Sequence, residues 1–315
     1  MNKGIIKHRF NVQIICSRNT NESCIGPIYE DVGVLMLPNS YSEKGVPTVL
    51  VINCHGAGGT VETDDSQTER QVLTKYLLAN GYAVMDVNGL PKDYANIMGI
   101  DVRNNIGSPI ALQSYVKAYH YCIEHFNLKK EVFVHGSSMG GISSTNLVLS
   151  GEIPVIAQSG FCPVLDTYNQ IFLHPWSKGL PKTALGLFYD MKKDDKGEFI
   201  YDEAKVEGFN PMARCKKIDG IEQIAYPVPV KFWHCENDDV VNIATTKRFV
   251  SAIQNAGSIA YLKTFPEGKH EPQLYGVPIN NPRGNCVMDN EVLAINPAIE
   301  EAFLWIDSFN NFLQN

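Results

Sequence analysis

The sequence has no run of eighteen apolar residues, no C-x-x-C pair, no basic excess and no low-complexity tract. Each absence removes a class of protein. Without the long apolar run no helix spans a bilayer. Lys and Arg number 27 against 34 Asp and Glu, a formal charge of −7, so there is no basic field to attract nucleic acid or an anionic membrane. The eight cysteines are scattered rather than paired, which argues against a zinc site and for reduced, mostly buried thiols, although Cys16 and Cys24 are close enough to bridge a loop. The start, "MNKGIIKHRFNVQIIC", lacks a continuous apolar segment and a small-residue cleavage site, so it reads as a mature start and a cytoplasmic location is the expectation.

Among 315 residues, 44% are hydrophobic and only 19% charged, the balance of an ordered chain with a large core. The periodicity then gives an order of elements. Residues 5–16 and 28–37 alternate as two opening strands. "TVLVINCHG" (48–56) is a continuous apolar run ending in glycine, the pattern of a strand buried on both faces. A helix follows over 68–82, a strand over 82–89, and a helix over 108–127 with Ser108 as N-cap and Pro109 at its first position. Short strands are predicted at 131–136, 153–160, 229–235 and 260–265, with helices near 140–150, 243–256 and 297–313. Strands alternating with helices predict one α/β domain over 1–315, a mostly parallel sheet covered on both faces. The stretch 161–226 is too long for a simple crossover and rich in aromatic residues, and it reads as a cap inserted over one end of the sheet.

Chemistry enters at "EVFVHGSSMGGISS", 131–144. A strand delivers Gly136-Ser137-Ser138-Met139-Gly140, which fits G-x-S-x-G, and a helix follows. In such an elbow the turn is so sharp that positions two before and two after the serine tolerate almost no side chain, which Gly136 and Gly140 satisfy. Ser138, not Ser137, is then the nucleophile. A serine needs a base, and the base needs an acid to hold it. "VKFWHCENDDVVN" (230–242) is an apolar strand breaking into acids, and "LKTFPEGKHEP" (262–272) is a strand followed by a loop carrying His270.

With Ser138, an acid near 238 and His270 in that order, the chain resembles the α/β-hydrolase superfamily, esterases and prolyl-oligopeptidase-like peptidases included. The likeness covers about 47–270 and a terminal helix, and it implies the α/β-hydrolase fold. Family members often read H-G-x-x-D-x-V at the acid turn, which aligns His234 and Asp238 and puts Cys235 where glycine is usual. The resemblance thus implies Asp238 as the acid, with Asp239, Glu236 and Asp166 as alternatives. His55, His135 and His234 rival His270 as base, but order and spacing favour His270. "NCHGAGGT" (53–60) resembles the family's oxyanion loop, so the backbone N–H of Met139 and that of Ala57 or Gly58 are the expected oxyanion donors.

No cofactor or metal is expected. A dinucleotide loop from Gly56 needs glycine where Val61 stands, and successive residues of "HCENDD" on an extended strand point to opposite faces. His120 and His125 are five apart, not the four of H-E-x-x-H. About forty-five residues precede the predicted core, which favours an esterase acting on small or medium acyl esters, carbohydrate or phenolic ones included, over a peptidase with a large added domain. Trp176 and Phe172 of the cap are candidate substrate contacts, and the long stretch 271–292 is expected to border the site. A serine peptidase, or a ligand-binding protein that keeps the fold without turnover, stays open. Oligomeric state is not legible.

Overall fold

The structure, a computed structural model, describes residues 5–16, 26–64, 66–174, 180–270, 272 and 297–310. Eight strands form one sheet: β1 (Ile6–Ile15), β2 (Ile28–Leu37), β3 (Thr48–Cys54), β4 (Ala83–Val87), β5 (Leu128–Ser137), β6 (Val155–Phe161), β9 (Val230–Cys235) and β10 (Ala260–Phe265). Their order is β1-β2-β4-β3-β5-β6-β9-β10, and β7 (Lys216–Ile218) and β8 (Ile221–Gln223) pair separately as a small hairpin. β2 runs antiparallel to both β1 and β4, while every other neighbouring pair is parallel.

The central strands are apolar without alternation because each side chain finds a core, whichever way it points. Leu50, Ile52 and Cys54 of β3, with Val132 and Val134 of β5, pack among residues of helices α4 (Pro109–His125) and α5 (Gly140–Ser150). Val49, Val51 and Phe133 face the opposite way, against α2 (Val72–Ala79) and α9 (Pro297–Asn310). A third cluster joins Val230 and Phe232 of β9 to α8 (Ile243–Asn255). β1, at the sheet edge, keeps the half-buried alternation its sequence promised. Ser108 caps α4 as expected, its Oγ accepting from the Ala111 N–H at 3.2 Å.

Two elements depart from the periodicity. The helix read over 68–82 is split into α1 (Gln67–Arg70) and α2, with Gln71 extended between them at φ −59°, ψ 132°. The cause is tertiary: Thr68 is buried, donates to Asp86 on β4 and accepts from Asn53 Nδ2 at 3.0 Å, which draws α1 into the core. A further short helix, α3 (Lys92–Met98), follows β4 and was not foreseen. Its Gly99 closes the helix in the left-handed conformation that glycine adopts without steric cost.

The stretch from β6 to β9 carries a π-helical turn (Tyr168–Leu173), α6 (Leu180–Phe188), α7 (Glu203–Val206), a 3-10 turn (Pro211–Arg214) and the β7–β8 hairpin. Within it, the Met212 N–H donates to the Leu165 carbonyl at 2.9 Å. Asn146 Nδ2 of α5, donating to the Phe209 carbonyl at 2.9 Å, and Gln170 Nε2, donating to the Val240 carbonyl at 2.6 Å in the loop after β9, tie it to the rest. Among the described cysteines, Cys16, Cys54, Cys122, Cys162 and Cys235 are buried thiols and Cys215 is half-buried. The proposed partner Cys24 lies outside the described residues. No helix among the described residues is long and apolar enough to cross a membrane.

Candidate active site

The parallel strands all end at one edge of the sheet, and the chemistry-bearing loops gather there, as in open α/β sheets generally. β5 ends at Ser137, and Ser138 takes φ +53°, a left-handed backbone that side-chain-bearing residues seldom adopt. Backbone bonds clamp it: its N–H donates to the Phe161 carbonyl at 2.9 Å, and its own carbonyl accepts from Gly141 at 2.8 Å and Val164 at 2.9 Å. The flanking glycines are forced. A Cβ on Gly136 would run into the Gly140 carbonyl and Ser144 Oγ, and one on Gly140 into the Cys54 carbonyl. The strained turn and the two missing side chains form one device that lifts the Ser138 hydroxyl clear of the sheet.

Three side chains from distant parts of the chain meet there. His270 Nε2 lies 2.9 Å from Ser138 Oγ, and His270 Nδ1 lies 3.1 and 3.0 Å from the two oxygens of Asp238. The Asp238 side chain is fully buried and also accepts from the N–H groups of Val240 (2.8 Å) and Val241 (2.9 Å), and from His234 Nε2 (2.9 Å). Burial alone would raise the Asp238 pKa; the bonds from His234 and His270 outweigh it and hold the carboxyl far below its usual range. Burial likewise works to lower the pKa of His270, but the Cys162 sulfur and the Asp238 carboxylate raise it above the ordinary imidazole value.

The rival residues have other partners. Asp239 is exposed and pairs with Lys269, Glu236 is exposed, and Asp166 is buried just ahead of the π-helical turn, its Oδ1 accepting from the Tyr168 and Asn169 N–H groups. His234 is fully buried between Thr246 and Asp238. His55 lies beneath the "HGAGG" loop with Nδ1 3.2 Å from Asp86 Oδ1. That Asp86 oxygen also accepts from the Tyr115 hydroxyl at 2.9 Å, and the other from Asn53 Nδ2 at 3.0 Å. His135 is buried below the elbow against Ser137 and Ser159.

A cleft open to solvent lies beside Ser138. Its described walls include Met139 and Ala57 at the elbow and the loop, Ile142 of α5, and Val164 and Ile171 from the stretch after β6. Gln170 and Asn104 add two uncharged polar groups. Gly58 is turned elsewhere, its N–H donating to the Arg103 carbonyl at 3.3 Å, and it is not a wall residue. Phe172 also sits off the cleft, in a ring cluster with Tyr168 and Tyr201 and under Lys182 Nζ, so its neighbours Gln170 and Ile171 take the place foreseen for it. Trp176 lies outside the described residues, as does 271–292 apart from Pro272.

The periodicity did not single out Ile106, a wall residue whose φ of +43° is strained for a β-branched side chain. Asn105 builds that turn: Oδ1 accepts from the Gly107 N–H at 3.2 Å and Nδ2 donates to the Asn88 carbonyl at 2.9 Å. "NNIG" is the only signal that could have pointed to it, as a turn signature next to a helix cap.

No protein-family model matches the chain, and no curated protein matches it in sequence. Solved structures do match in shape. The acylaminoacyl peptidase of Pyrococcus horikoshii superposes with a TM-score of 0.66 at 14% identity, over 98% of this chain and 42% of that one. The fold is the α/β-hydrolase fold. A puromycin-hydrolyzing peptidase of Mycobacterium tuberculosis gives 0.59 at 16% identity over 84% and 36% of the two chains, and Candida antarctica lipase A gives 0.54 at 12% over 89% and 78%. This chain therefore spans about two fifths of the first peptidase it resembles. Identities this low speak for the fold and leave the reaction to the site.

Proposed function

We propose that the protein is a serine hydrolase that cleaves carboxylic esters of small or medium acyl groups through an acyl-enzyme on Ser138. The observation that carries this reading is the unbroken chain of hydrogen bonds Ser138 Oγ–His270 Nε2 and His270 Nδ1–Asp238. His270 takes the proton of Ser138 as the hydroxyl attacks the acyl carbonyl, then returns it to the leaving alcohol. Asp238 fixes the ring so that Nε2 faces the serine and stabilises the imidazolium that forms. Water, deprotonated by the same Nε2, then releases the acid. The Met139 N–H, with that of Ala57 on the facing loop, receives the oxyanion; Gly58 is excluded by its bond to Arg103.

Among the described residues the cleft wall is uncharged and largely apolar, which supports the ester reading because such a wall suits an acyl chain. The stretch 161–226 acts as the cap, since Val164, Gln170, Ile171 and Pro181 bring it to the cleft. A second reading, peptide hydrolysis, is favoured by the likeness to two peptidases. The two are separated by assaying p-nitrophenyl esters, acetate through dodecanoate, beside aminoacyl p-nitroanilides. Faster turnover of a short or medium ester, lost in Ser138→Ala, is the expected result. Turnover of anilides alone overturns the ester reading in favour of a peptidase, and none on either series favours a ligand-binding protein.

A further inference from the structure

Cys162 is a buried nucleophilic group for which the proposed reaction has no use. It directly follows β6 with φ +39°, its N–H donating to the Trp233 carbonyl at 2.8 Å. Phe161 and Val164, on either side of it in the chain, supply two of the three backbone bonds that clamp Ser138, so the sulfur is held in a fixed relation to the elbow. Its Sγ lies 4.0 Å from His270 Nε2, and donor atoms of Cys162, Asp238 and His270 all fall within 4.8 Å of one another.

We propose that Cys162 and His270 form a binding site for a thiophilic divalent cation of the Zn²⁺ or Cd²⁺ class, and that its occupation switches hydrolysis off. Zinc sits about 2.3 Å from sulfur and about 2.0–2.1 Å from imidazole nitrogen, so it bridges donors roughly 3.6 Å apart in tetrahedral geometry and at most about 4.4 Å apart in line. The observed 4.0 Å lies inside that interval. Asp238 already holds the other ring nitrogen, which is how metal-binding histidines are ordinarily oriented and made more basic. Ser138 Oγ, 2.9 Å from the same Nε2 and open to the cleft, supplies an oxygen donor and marks the ion's path.

As the sulfur–metal bond forms, the Cys162 thiol releases its proton to solvent, any proton on His270 Nε2 likewise leaves to solvent, and the Nε2 lone pair passes to the ion. That lone pair then cannot accept the Ser138 proton. Thiolate with imidazole selects zinc-like ions over Mg²⁺ or Ca²⁺, which prefer oxygen donors. Binding stands on the geometry alone; the inhibition rests on the proposed role of His270 as base.

The test titrates Cd²⁺ into metal-free protein, reading the ultraviolet charge-transfer band of cadmium–thiolate and the hydrolysis of p-nitrophenyl acetate on the same samples. Wild type should show a tight site and inhibition that a chelator reverses. Cys162→Ala, and Cys162→Gly which suits the left-handed backbone, should keep hydrolysis, lose the tight-site band and be at least tenfold less sensitive to the ion. His270→Ala should weaken the band at least tenfold. An unchanged band and unchanged inhibition in both Cys162 variants overturns the proposal, as does equal inhibition by Mg²⁺. If no ester is turned over, the band still reports the site, so failure of the hydrolase reading and failure of the metal site are told apart.

Discussion

Two serine–histidine pairs lie side by side among the described residues, and only one has a carboxylate behind its ring. Ser138 Oγ meets His270 Nε2 at 2.9 Å; Ser137 Oγ, one residue earlier, meets His135 Nε2 at 3.2 Å. The differences lie behind the rings and around them. His270 Nδ1 rests on a carboxylate, whereas His135 Nδ1 rests on the Ser159 hydroxyl at 2.8 Å. Burial, with no charge to offset it, drives the His135 pKa down to about 3, while the Cys162 sulfur and the Asp238 carboxylate raise the His270 pKa against the same pressure. A serine and a histidine in contact are therefore not enough. An imidazole that must become charged in the transition state needs an anion behind it, and a hydroxyl does not serve.

The largest effect that tests this contrast is in the serines. Ser138→Ala should lower kcat by about 10⁴-fold or more, and Ser137→Ala should leave it within a few-fold. Comparable losses in both, measured on the same ester, erase the distinction. Next comes the carboxylate: Asp238→Asn should cost about 10³- to 10⁴-fold in kcat, because the amide cannot balance the imidazolium or fix its tautomer. Retention of activity would mean that Asp239 or another acid substitutes.

The pH profile is a finer probe. His270 acts only when neutral, and its pKa is raised, so the proton stays on to higher pH and activity must climb as pH rises. The acid limb of kcat/KM should lie above roughly 6.5, the ordinary imidazole value, displacing upward the fall below 6 to 7 expected of an unperturbed histidine. Cys162→Ala should move that limb down, since the sulfur is among the groups that raise the pKa. His135, neutral across the whole range, should contribute no limb. The smallest effect is structural: Ser159→Ala removes a buried bond to His135 and should cost about 1 kcal/mol in a denaturant titration with kcat nearly unchanged.

Much of the fold was legible because the local signals agree. β2 and β10 begin and end where the pattern placed them, as does α5 behind its elbow glycines. Ser138 was legible because its turn excludes side chains at two fixed offsets, a steric demand written directly in the sequence. What stands behind each ring was not legible, since Ser159 meets His135 only when β5 lies beside β6 and Asp238 meets His270 only across two loops. Polar tertiary bonds were the least visible. The break at Gln71 follows from Thr68 reaching Asp86, and the support of Asp238 by His234 depends on a loop folding back on its strand. Which face of the π-helical turn reaches the cleft was equally hidden: Gln170 and Ile171 line it, while Phe172 packs with Tyr168 and Tyr201.

The most direct measurement is covalent labelling with a fluorophosphonate, followed by peptide mapping. The account predicts a single adduct on Ser138, absent in Ser138→Ala and slowed at least a hundredfold in His270→Ala, with Ser137 unmodified. An adduct on Ser137 or elsewhere, or equal labelling of wild type and Ser138→Ala, would contradict it.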